Sequence, residues 1–542
     1  MKKIIIIPII VLFLIKTAIP CTNIIVTKGA SNNNSTMIAY LCDGEFHPTF
    51  RILPATDHKV GELVEIQDYS GNILGRIKQV PHTYKVMGYH NMNEFQVAMG
   101  ETTFGGREDL IDTTAFLNYW RLMNITLQRS KTAREAIDVM TSLVEEYGYS
   151  SSGESFSIAD PNEAWLLEMI GTGPHGNAPV WVARRIPDGY ICAHANKARI
   201  GEFPLDDPEN CVYSENVISF AIEKGFYDPK SGEAFRFNEA YDPSNPGNLR
   251  YCSARVWSIY KRIDPELNLS SDYHRAVKGA ERYPLWIKPC EKLGVGEIMA
   301  LVRDHYEGTE IDMTTGPAAG PFGNPNRCRP LVFDVDEMKA SWERAISTYN
   351  TGFSIITQSR TNLPNKVGGL VWYGVDDTYF TCYTPLYLGI NDVPDPFETG
   401  SMKEFSWESA WWRFNLVANY ANTKFSYIIE DVKDKQNNIE GKFLQMQDSI
   451  EQMALSISDK NELENFLTNY SSTQSDYVMD EWGELAYFIF AKYNDGYVRD
   501  ENNRPRTKGY PEEWSREIFK TDERIKLPVW DEKQKTVEPT DF

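Results

Sequence analysis

Short apolar runs separated by polar turns follow the first twenty residues of the chain. Residues 21–27 and 35–41 are rich in apolar and β-branched residues, and a polar turn at 31–34 separates them. Residues 83–104 repeat the arrangement around a second turn at 91–94. Because runs bounded by turn residues are typical of strands, we expect a strand pair at the first place and a hairpin at the second.

The apolar spacing becomes helical over residues 112–128 and again over residues 132–146. Thr132 and Glu135 have the spacing of a capping box at the start of the second segment. Gly148 is placed to end that segment, because glycine readily adopts the left-handed conformation that closes many helices. The pattern therefore predicts two consecutive helices.

An extended pattern returns in the middle of the chain. Strands are predicted at residues 155–159, 164–169, 180–185 and 190–193, and further strands at residues 353–358, 368–373 and 379–383. The turns between the first four strands are short, so neighbouring strands must run antiparallel and form a meander. Strands, paired helices and strands again predict an α+β fold in which helices cover the faces of sheets.

The last part of the chain is predicted to be helical. Residues 405–490 have a helical pattern, with an aromatic group at Trp407, Trp411 and Trp412 near its start. We interpret these aromatic residues as core packing, which is their usual role. The tail at residues 499–542 is rich in charge and proline, and we expect it on the surface.

Residues 1–20 have the pattern of a secretory signal. Lysines precede an apolar run at residues 4–15, which is too short to span a bilayer comfortably. Because Pro20 is a poor residue before a signal-peptidase cut, we expect cleavage after Ala18, which leaves residues 19–20 as a propeptide. With no later apolar stretch of spanning length, the mature protein is predicted to be soluble and periplasmic or secreted, without stable membrane insertion.

The net charge of the chain argues against two classes of binding partner. A net charge of −21 argues against binding to nucleic acid or anionic membranes, since both need basic patches. We divide the chain into the export segment with its propeptide (1–20), a catalytic domain (21–400), and a C-terminal helical extension with a charged tail (401–542).

The cysteines do not indicate a metal site. They lie at positions 21, 42, 192, 211, 252, 290, 328 and 382. None has the CxxC or Cys/His spacing of metal ligands, so we predict no cofactor and no metal ion. Disulfide connectivity and homo-oligomerisation stay open.

Cys21 is the candidate nucleophile. Removal of residues 1–20 leaves it with a thiol and a free α-amine on one α-carbon, and both groups titrate near neutrality. The amine can take the thiol proton and later return it to a leaving amine. Two other interpretations are an ordinary cysteine beside a signal junction and a lipoprotein anchor. Pro20 and the apolar strand that follows Cys21 disfavour an anchor.

Two other motifs are set aside. Residues 171–176 fit GxGxxG, but the pattern after them predicts a strand where a dinucleotide site needs a helix, so we expect a hairpin turn. Residues 153–157 lack the second glycine of a nucleophile elbow, which argues against a serine hydrolase.

An ordered set of short motifs carries a family resemblance. They are residues 21–23, 35–39, 43–44, 92–94, 153–156, 163–165, 184–189, 194–200, 253–255 and 367–372. With them the chain resembles the dipeptidase A-type family of cysteine dipeptidases, which is related to penicillin V acylases and bile-salt hydrolases. The resemblance implies a four-layer αββα N-terminal-nucleophile hydrolase sandwich that cleaves small peptides through a thioester. The alternatives are an acylase for penicillin-like or bile-salt amides and a non-catalytic, lipid-anchored binding protein.

The resemblance also implies roles for three further residues. Asp43 is expected to accept hydrogen bonds from the amine of Cys21 and orient it, where the simpler interpretation is an Asp-Gly turn. Asn196 is expected to help hold the oxyanion, where the alternative is a turn asparagine. Arg255 matches an arginine near the active centre, where the alternative is a surface salt bridge.

Substrate-binding residues are expected on two strands. Tyr40 stands where relatives usually carry arginine, so either another cation substitutes or the substrate preference differs. Glu101, Thr102 and Thr103 end the predicted hairpin where relatives build part of the pocket. Glu101 could hold the free amine of a dipeptide.

Overall fold

The structure is a computed structural model, and it describes residues 21–68, 70–176, 178–326, 332–522 and residue 524. The predicted export segment lies outside these residues. So does the end of the charged tail, whose described part is mostly exposed. Across the described ranges, no helix is both long enough and apolar enough to cross a membrane.

Runs of strands and runs of helices follow one another along the chain. The strands are β1 Thr22–Val26, β2 Thr36–Asp43, β3 Arg51–Leu53, β4 Thr56–Asp57, β5 Leu63–Gln67, β6 Ile73–Lys78, β7 His82–Thr83, β8 Val86–Gly88, β9 Met92–Asn93, β10 Ala98–Gly105, β11 Gly153–Ala159, β12 Ala164–Ile170, β13 Val180–Arg185, β14 Ile191–His194, β15 Cys211–Tyr213, β16 Trp286–Ile287, β17 Val332–Val335, β18 Met338–Ser341, β19 Thr351–Ser359, β20 Leu370–Val375, β21 Thr384–Tyr387, β22 Tyr497–Arg499 and β23 Pro505–Thr507. The helices are α1 Tyr119–Leu127, α2 Ala133–Tyr147, α3 Ser219–Glu223, α4 Phe237–Tyr241, α5 Pro246–Asn248, α6 Ala254–Ile263, α7 Val295–Leu301, α8 Asn365–Gly368, α9 Ala410–Ala421, α10 Phe425–Leu455, α11 Lys460–Lys492 and α12 Glu512–Thr521.

Two antiparallel sheets contain most of these strands. Sheet A has the order β16-β14-β1-β2-β19-β20-β21, and sheet B has the order β15-β13-β12-β11-β10-β9-β8-β3. Strands β1 and β2 of sheet A contact β10 of sheet B, so the sheets face each other. Helices α1 and α2 pack on sheet B, whereas α6, α7, α9 and α11 contact sheet A. The architecture is that of an α+β protein, as predicted.

The predicted helices are present, but the first begins later than expected. The side chain of Asn118 accepts from the N–H of Arg121 at 2.9 Å and thereby starts α1 at Tyr119, so residues 112–118 are not helical. In α2 the hydroxyl of Thr132 accepts from the N–H of Glu135 at 3.2 Å, as predicted.

The predicted four-stranded meander is wrong in its last strand. Strands β11, β12 and β13 are neighbours in sheet B, and residues 171–176 lie in a hairpin connection as expected. Strand β14 instead joins sheet A beside β1, and β15 takes the place next to β13. Thr27 fixes this crossing, because its hydroxyl accepts from the N–H groups of Gly189 and Tyr190 in the turn before β14.

Two other strand predictions need correction. The expected hairpin at 83–104 contains three strands, β8, β9 and β10, and β9 pairs with β10 only at Met92 and Ala98. Residues 379–383 are not a strand, and β21 begins at Thr384. The carbonyl oxygens of Tyr379 and Thr381 accept from the side chain of Gln436 on α10 instead of from a neighbouring strand.

The C-terminal helices are attached to the sheet A side by buried ion pairs. Arg303 donates to both carboxylate oxygens of Glu440 on α10, at 2.6 and 2.9 Å. Arg360 donates to Glu451, also on α10, at 2.6 Å. Trp411 is buried, and Trp407 and Trp412 pack against the same core, as expected for that aromatic group. The boundary at residue 400 stays a prediction.

We predict that Glu440→Ala lowers the free energy of unfolding by about 1–3 kcal/mol, because Arg303, which is only 15% exposed, loses its carboxylate partner and keeps two carbonyl acceptors. Urea unfolding measures the change. The matched control is Glu512→Ala, which removes the exposed partner of Arg516 and is expected to shift the midpoint very little. Equal midpoint shifts in the two variants would contradict the anchoring role.

Candidate active site

Cys21 directly precedes β1, an inner strand of sheet A. Strand β1 has β14 on one side and β2 on the other, and Asn23 is paired with His194 and Tyr40. A position between two neighbouring strands explains why Cys21 is only 1% exposed. The candidate nucleophile is therefore held in the interior, at the end of a strand.

Arg255 joins Cys21 to Asn196. It lies on α6, is fully buried, and donates from Nη1 to the carbonyl oxygen of Cys21 at 2.6 Å and to the hydroxyl of Thr22 at 2.8 Å. From Nη2 it donates to Oδ1 of Asn196 at 2.9 Å and to the carbonyl oxygen of Ala195 at 3.3 Å. The surface salt bridge considered from the sequence is therefore excluded. One guanidinium fixes the position of two predicted site residues.

Asn196 follows β14 in a left-handed conformation, with φ of 54°. Its Nδ2 donates to the carbonyl oxygen of Thr103 on β10 at 2.8 Å, so the side chain also connects the two sheets. Close by, the carboxylate of Glu168 accepts from the N–H groups of Arg199 and Ile200. The segment that contains Asn196 is thus held on both sides.

Asp43 ends β2 and is fully buried. Its Oδ1 accepts from the hydroxyl of Thr351 at 2.5 Å, and its Oδ2 accepts from the guanidinium of Arg344. Burial raises the pKa of Asp43, and the charge of Arg344 opposes that rise. Asp43 is therefore part of a buried ion pair and more than a turn residue. Arg344 lies in a loop after β18 and had no sequence signal.

Glu101 connects Cys21 to Tyr40. The thiol of Cys21 donates to Oε1 of Glu101 at 3.6 Å, and the hydroxyl of Tyr40 donates to the same oxygen at 2.6 Å. Tyr40, Glu101 and Cys21 therefore lie together, and their roles stay predictions. Tyr40 thus supplies a neutral hydrogen-bond donor at the position where relatives usually carry arginine. The positive charges near Cys21 come from Arg255 and Arg344.

Glu154 is a site residue that the sequence interpretation missed. It lies opposite Thr103 in sheet B, and Thr103 Oγ1 donates to its Oε2 at 2.9 Å. Burial and the neighbouring charge of Glu101 raise the pKa of Glu154 well above its ordinary value. Across the described residues, Oε2 of Glu101 and Oε1 of Glu154 have no hydrogen-bond donor. Burial beside Glu101 therefore favours the protonated form of Glu154.

Cys42 is the other residue that the sequence interpretation missed. Strand pairing joins Thr22 to Leu41, which places Cys42 across from Cys21. Burial, a hydrogen bond with Cys42 and the charge of Glu101 raise the pKa of the Cys21 thiol well above its ordinary value. The resting thiol is therefore protonated and needs a base before it can attack.

Thr102 has a different environment from its neighbours on β10. Its hydroxyl is 2.7 Å from Nδ1 of His194, and the hydroxyl of Ser157 is 2.7 Å from Nε2 of the same ring. His194 connects β14 to sheet B in this way. The side chain of Thr102 therefore helps to hold the two sheets together through His194.

Comparison with known proteins defines the class of the protein: it is a peptidase. A model of peptidase family C69 matches residues 53–438, which is most of the chain, and the protein belongs to that family. The resemblance to dipeptidase A-type enzymes is thereby confirmed. The matched residues begin after Cys21 and Asp43, so the roles of both stay predictions.

Relatives of this chain are named as dipeptidases. A "Probable dipeptidase" of Salmonella dublin is 27% identical over 392 residues, which cover 69% of this chain and 82% of the relative. A "Probable dipeptidase" of Latilactobacillus sakei is 26% identical over 420 residues, 73% of this chain and 80% of the relative. "Dipeptidase A" of Lactobacillus helveticus is 24% identical over 431 residues, 75% of this chain and 82% of the relative.

We predict that Asn196→Ala lowers the peptidase rate about 10²–10³-fold, the usual cost of one oxyanion donor. Arg255→Lys is expected to lower it as well, because lysine cannot bind the five oxygen atoms that the guanidinium binds. Since Arg255 holds Asn196, the double variant should be only slightly slower than the worse single variant. If the double variant lost the product of the two single-variant rate factors, the coupling between Arg255 and Asn196 would be contradicted. Arg262→Lys on the same helix is the matched control and should keep its rate.

A second prediction concerns acid stability. Burial lowers the pKa of His194 to about 3, so the folded protein takes up this proton at much lower pH than the unfolded chain, whose histidine titrates near 6.5. The contribution of His194 is complete above about pH 6.5 and is lost as the pH falls toward 3, by about 1.4 kcal/mol per pH unit. Urea unfolding across this range should give a shallower pH dependence for His194→Gln. Parallel curves would contradict the prediction.

Proposed function

We propose that this peptidase is an exported dipeptidase with Cys21 as its N-terminal nucleophile. One observation carries the proposal: the buried guanidinium of Arg255 binds the carbonyl oxygen of Cys21 at 2.6 Å and the side-chain oxygen of Asn196 at 2.9 Å. A nucleophile and an oxyanion donor need such a fixed relation, because small displacements are costly in catalysis.

We also propose the four-layer αββα fold of N-terminal-nucleophile hydrolases. Its support is the order of contacts described above: α1 and α2 against sheet B, sheet B against sheet A, and α6, α7, α9 and α11 against sheet A. Cys21 begins a central strand of one of the two facing sheets. We propose that the free α-amine, once formed, lies at this strand end within the protein.

The chemistry follows from the two groups of Cys21. After removal of residues 1–20, the α-amine takes the thiol proton and the sulfur attacks the substrate carbonyl carbon. The tetrahedral intermediate collapses when the ammonium returns the proton to the leaving amine, which gives a thioester. Water then attacks the thioester with the same amine as base, and the acid and the thiol are released. The raised pKa of the Cys21 thiol explains why an adjacent base is needed.

Asp43 and Asn196 support these steps. Asp43 orients the α-amine, and its ion pair with Arg344 limits how strongly it stabilises the protonated amine. Asn196 donates to the oxyanion of the tetrahedral intermediate together with backbone N–H groups.

The buried carboxyl pair beside Cys21 favours a substrate with a free amine. Glu101 and Glu154 form a buried carboxyl pair, and within the described part of the chain no lysine or arginine donates to either. A substrate ammonium would supply the missing positive charge. Tyr40 directs the Glu101 carboxylate through its hydroxyl. Dipeptides carry a free amine that this carboxyl pair could bind, which penicillin V and conjugated bile salts lack, and the names of the relatives favour the same choice.

We predict that Cys21→Ser and Cys21→Ala lower dipeptide hydrolysis by at least about 10³-fold, since removal of a nucleophile is among the largest catalytic losses. A dipeptide panel measures the rates. Intact-mass analysis of each protein shows whether the chain begins at an unblocked Cys21. Unchanged turnover in both variants would overturn the mechanism, and an acylated Cys21 would favour the anchor.

Substrate controls separate the alternatives. N-acetylated dipeptides should be poor substrates, because acetylation removes the ammonium that Glu101 and Glu154 are proposed to bind. Faster hydrolysis of penicillin V or conjugated bile salts than of any dipeptide would contradict the dipeptidase assignment. Cys382→Ala, which removes another buried thiol, should keep the wild-type rate.

A further inference from the structure

We propose that Cys21, Cys42 and Glu101 form an inhibitory binding site for Zn²⁺ and similar thiol-preferring divalent cations. The Sγ atoms of Cys21 and Cys42 and a carboxylate oxygen of Glu101 all lie within 4.8 Å of one another. All three side chains are buried, at 1%, 6% and 1% exposure. Two sulfur ligands and one carboxylate oxygen are a donor set that zinc accepts in proteins.

The spacing of the donor atoms fits a tetrahedral ion. A regular tetrahedron with bonds of about 2.2 Å has edges of about 3.6 Å. The distance from Sγ of Cys21 to Oε1 of Glu101 is 3.6 Å. Sγ of Cys42 needs a side-chain adjustment of at most about 1 Å to complete three corners of the tetrahedron. The ion would lie where the Cys21 thiol proton now lies.

The fourth ligand rests on the proposed function. Once Cys21 is the first residue, its α-amine and thiol can close a five-membered chelate ring around the ion. Tyr40 supports the site from behind, because its hydroxyl donates to Oε1 of Glu101 at 2.6 Å, and outer hydrogen bonds of this kind orient carboxylate ligands.

The buried charges also favour a cation here. The cluster contains acidic and thiol groups, and Glu154 adds a second carboxyl group next to Glu101. Zn²⁺ binding displaces the two thiol protons to solvent and neutralises the thiolates that remain. The ion would then occupy both the nucleophile and its base, so it inhibits the enzyme and is not a cofactor. Mg²⁺ and Ca²⁺ prefer oxygen ligands and should not bind.

Cys42 makes the proposal testable, because it supplies a metal ligand but is neither the proposed nucleophile nor the proposed base. The purified protein, treated with a chelator and kept reduced, is titrated with Zn²⁺ while dipeptide hydrolysis is measured. Wild type should bind one Zn²⁺ per chain and lose activity. Relative to its own metal-free rate, Cys42→Ala should need at least about tenfold more Zn²⁺ for the same fractional inhibition. Cys42→Ser provides the same test if the alanine variant folds poorly, and Cys382→Ala is the matched control.

Co²⁺ provides a readout that does not depend on activity. Wild type should give thiolate-to-cobalt charge-transfer absorption with the strength of two sulfur ligands, and Cys42→Ala should give about half of it. Equal zinc inhibition or equal cobalt spectra in wild type and Cys42→Ala would overturn the proposal, as would inhibition by Mg²⁺ or Ca²⁺ at similar concentrations. A chain inactive without metal would contradict the proposed function, and the cobalt spectra would still decide the metal site.

Discussion

The buried guanidinium of Arg255 is the interaction on which the candidate site depends. A fully buried arginine is costly unless its donors are satisfied, and here five oxygen atoms satisfy them, four from two neighbouring strands and their ends and one from Tyr251. Two of these oxygens belong to Cys21 and Asn196. The cost of burial is therefore offset only when both residues take their observed positions, and the stability of the fold is coupled to the geometry of the site.

The backbone of Cys21 lies near positive charges, whereas its thiol lies near acidic groups. Arg255 and Arg344 bind the backbone of Cys21 and the carboxylate of Asp43, whereas the thiol itself faces Glu101, Cys42 and, beyond them, Glu154. Burial and these acidic neighbours keep the thiol protonated. A site of this kind stays inactive until a base and a substrate are in place. The same acidity makes the pocket receptive to cations, whether an ammonium group or a metal ion.

Local sequence signals predicted the elements that depend on local interactions. Thr132 begins α2 as expected because a helix cap is a contact over three residues. The crossing of β14 from one sheet to the other could not be predicted from short turns, because it depends on contacts between Thr27 and a turn more than 160 residues later. Family motifs supplied Asp43, Asn196 and Arg255, and the structure brings Arg255 and Asn196 into contact.

The residues that were missed have non-local partners. Arg344 meets Asp43 from a loop 301 residues away, and Glu154 gains its significance only because strand pairing sets it beside Glu101. Cys42 lies across from Cys21 only once β1 and β2 pair. Sequence spacing could not indicate the proposed metal site, because Cys21, Cys42 and Glu101 come from three separate segments of the chain.

The ion pairs of α10 set an order of events during synthesis. Glu440 follows Arg303 by 137 residues, and at about 5–20 residues per second that interval lasts on the order of 10 s on the ribosome. Strand β2 likewise cannot pair with its neighbour β19 until β19 has been synthesised, so sheet A stays incomplete until then. Sheet A and the packing of α10 against it therefore cannot form until most of the chain has been synthesised. During that time Arg303 and Arg360 remain hydrated, and the peptidase is inactive.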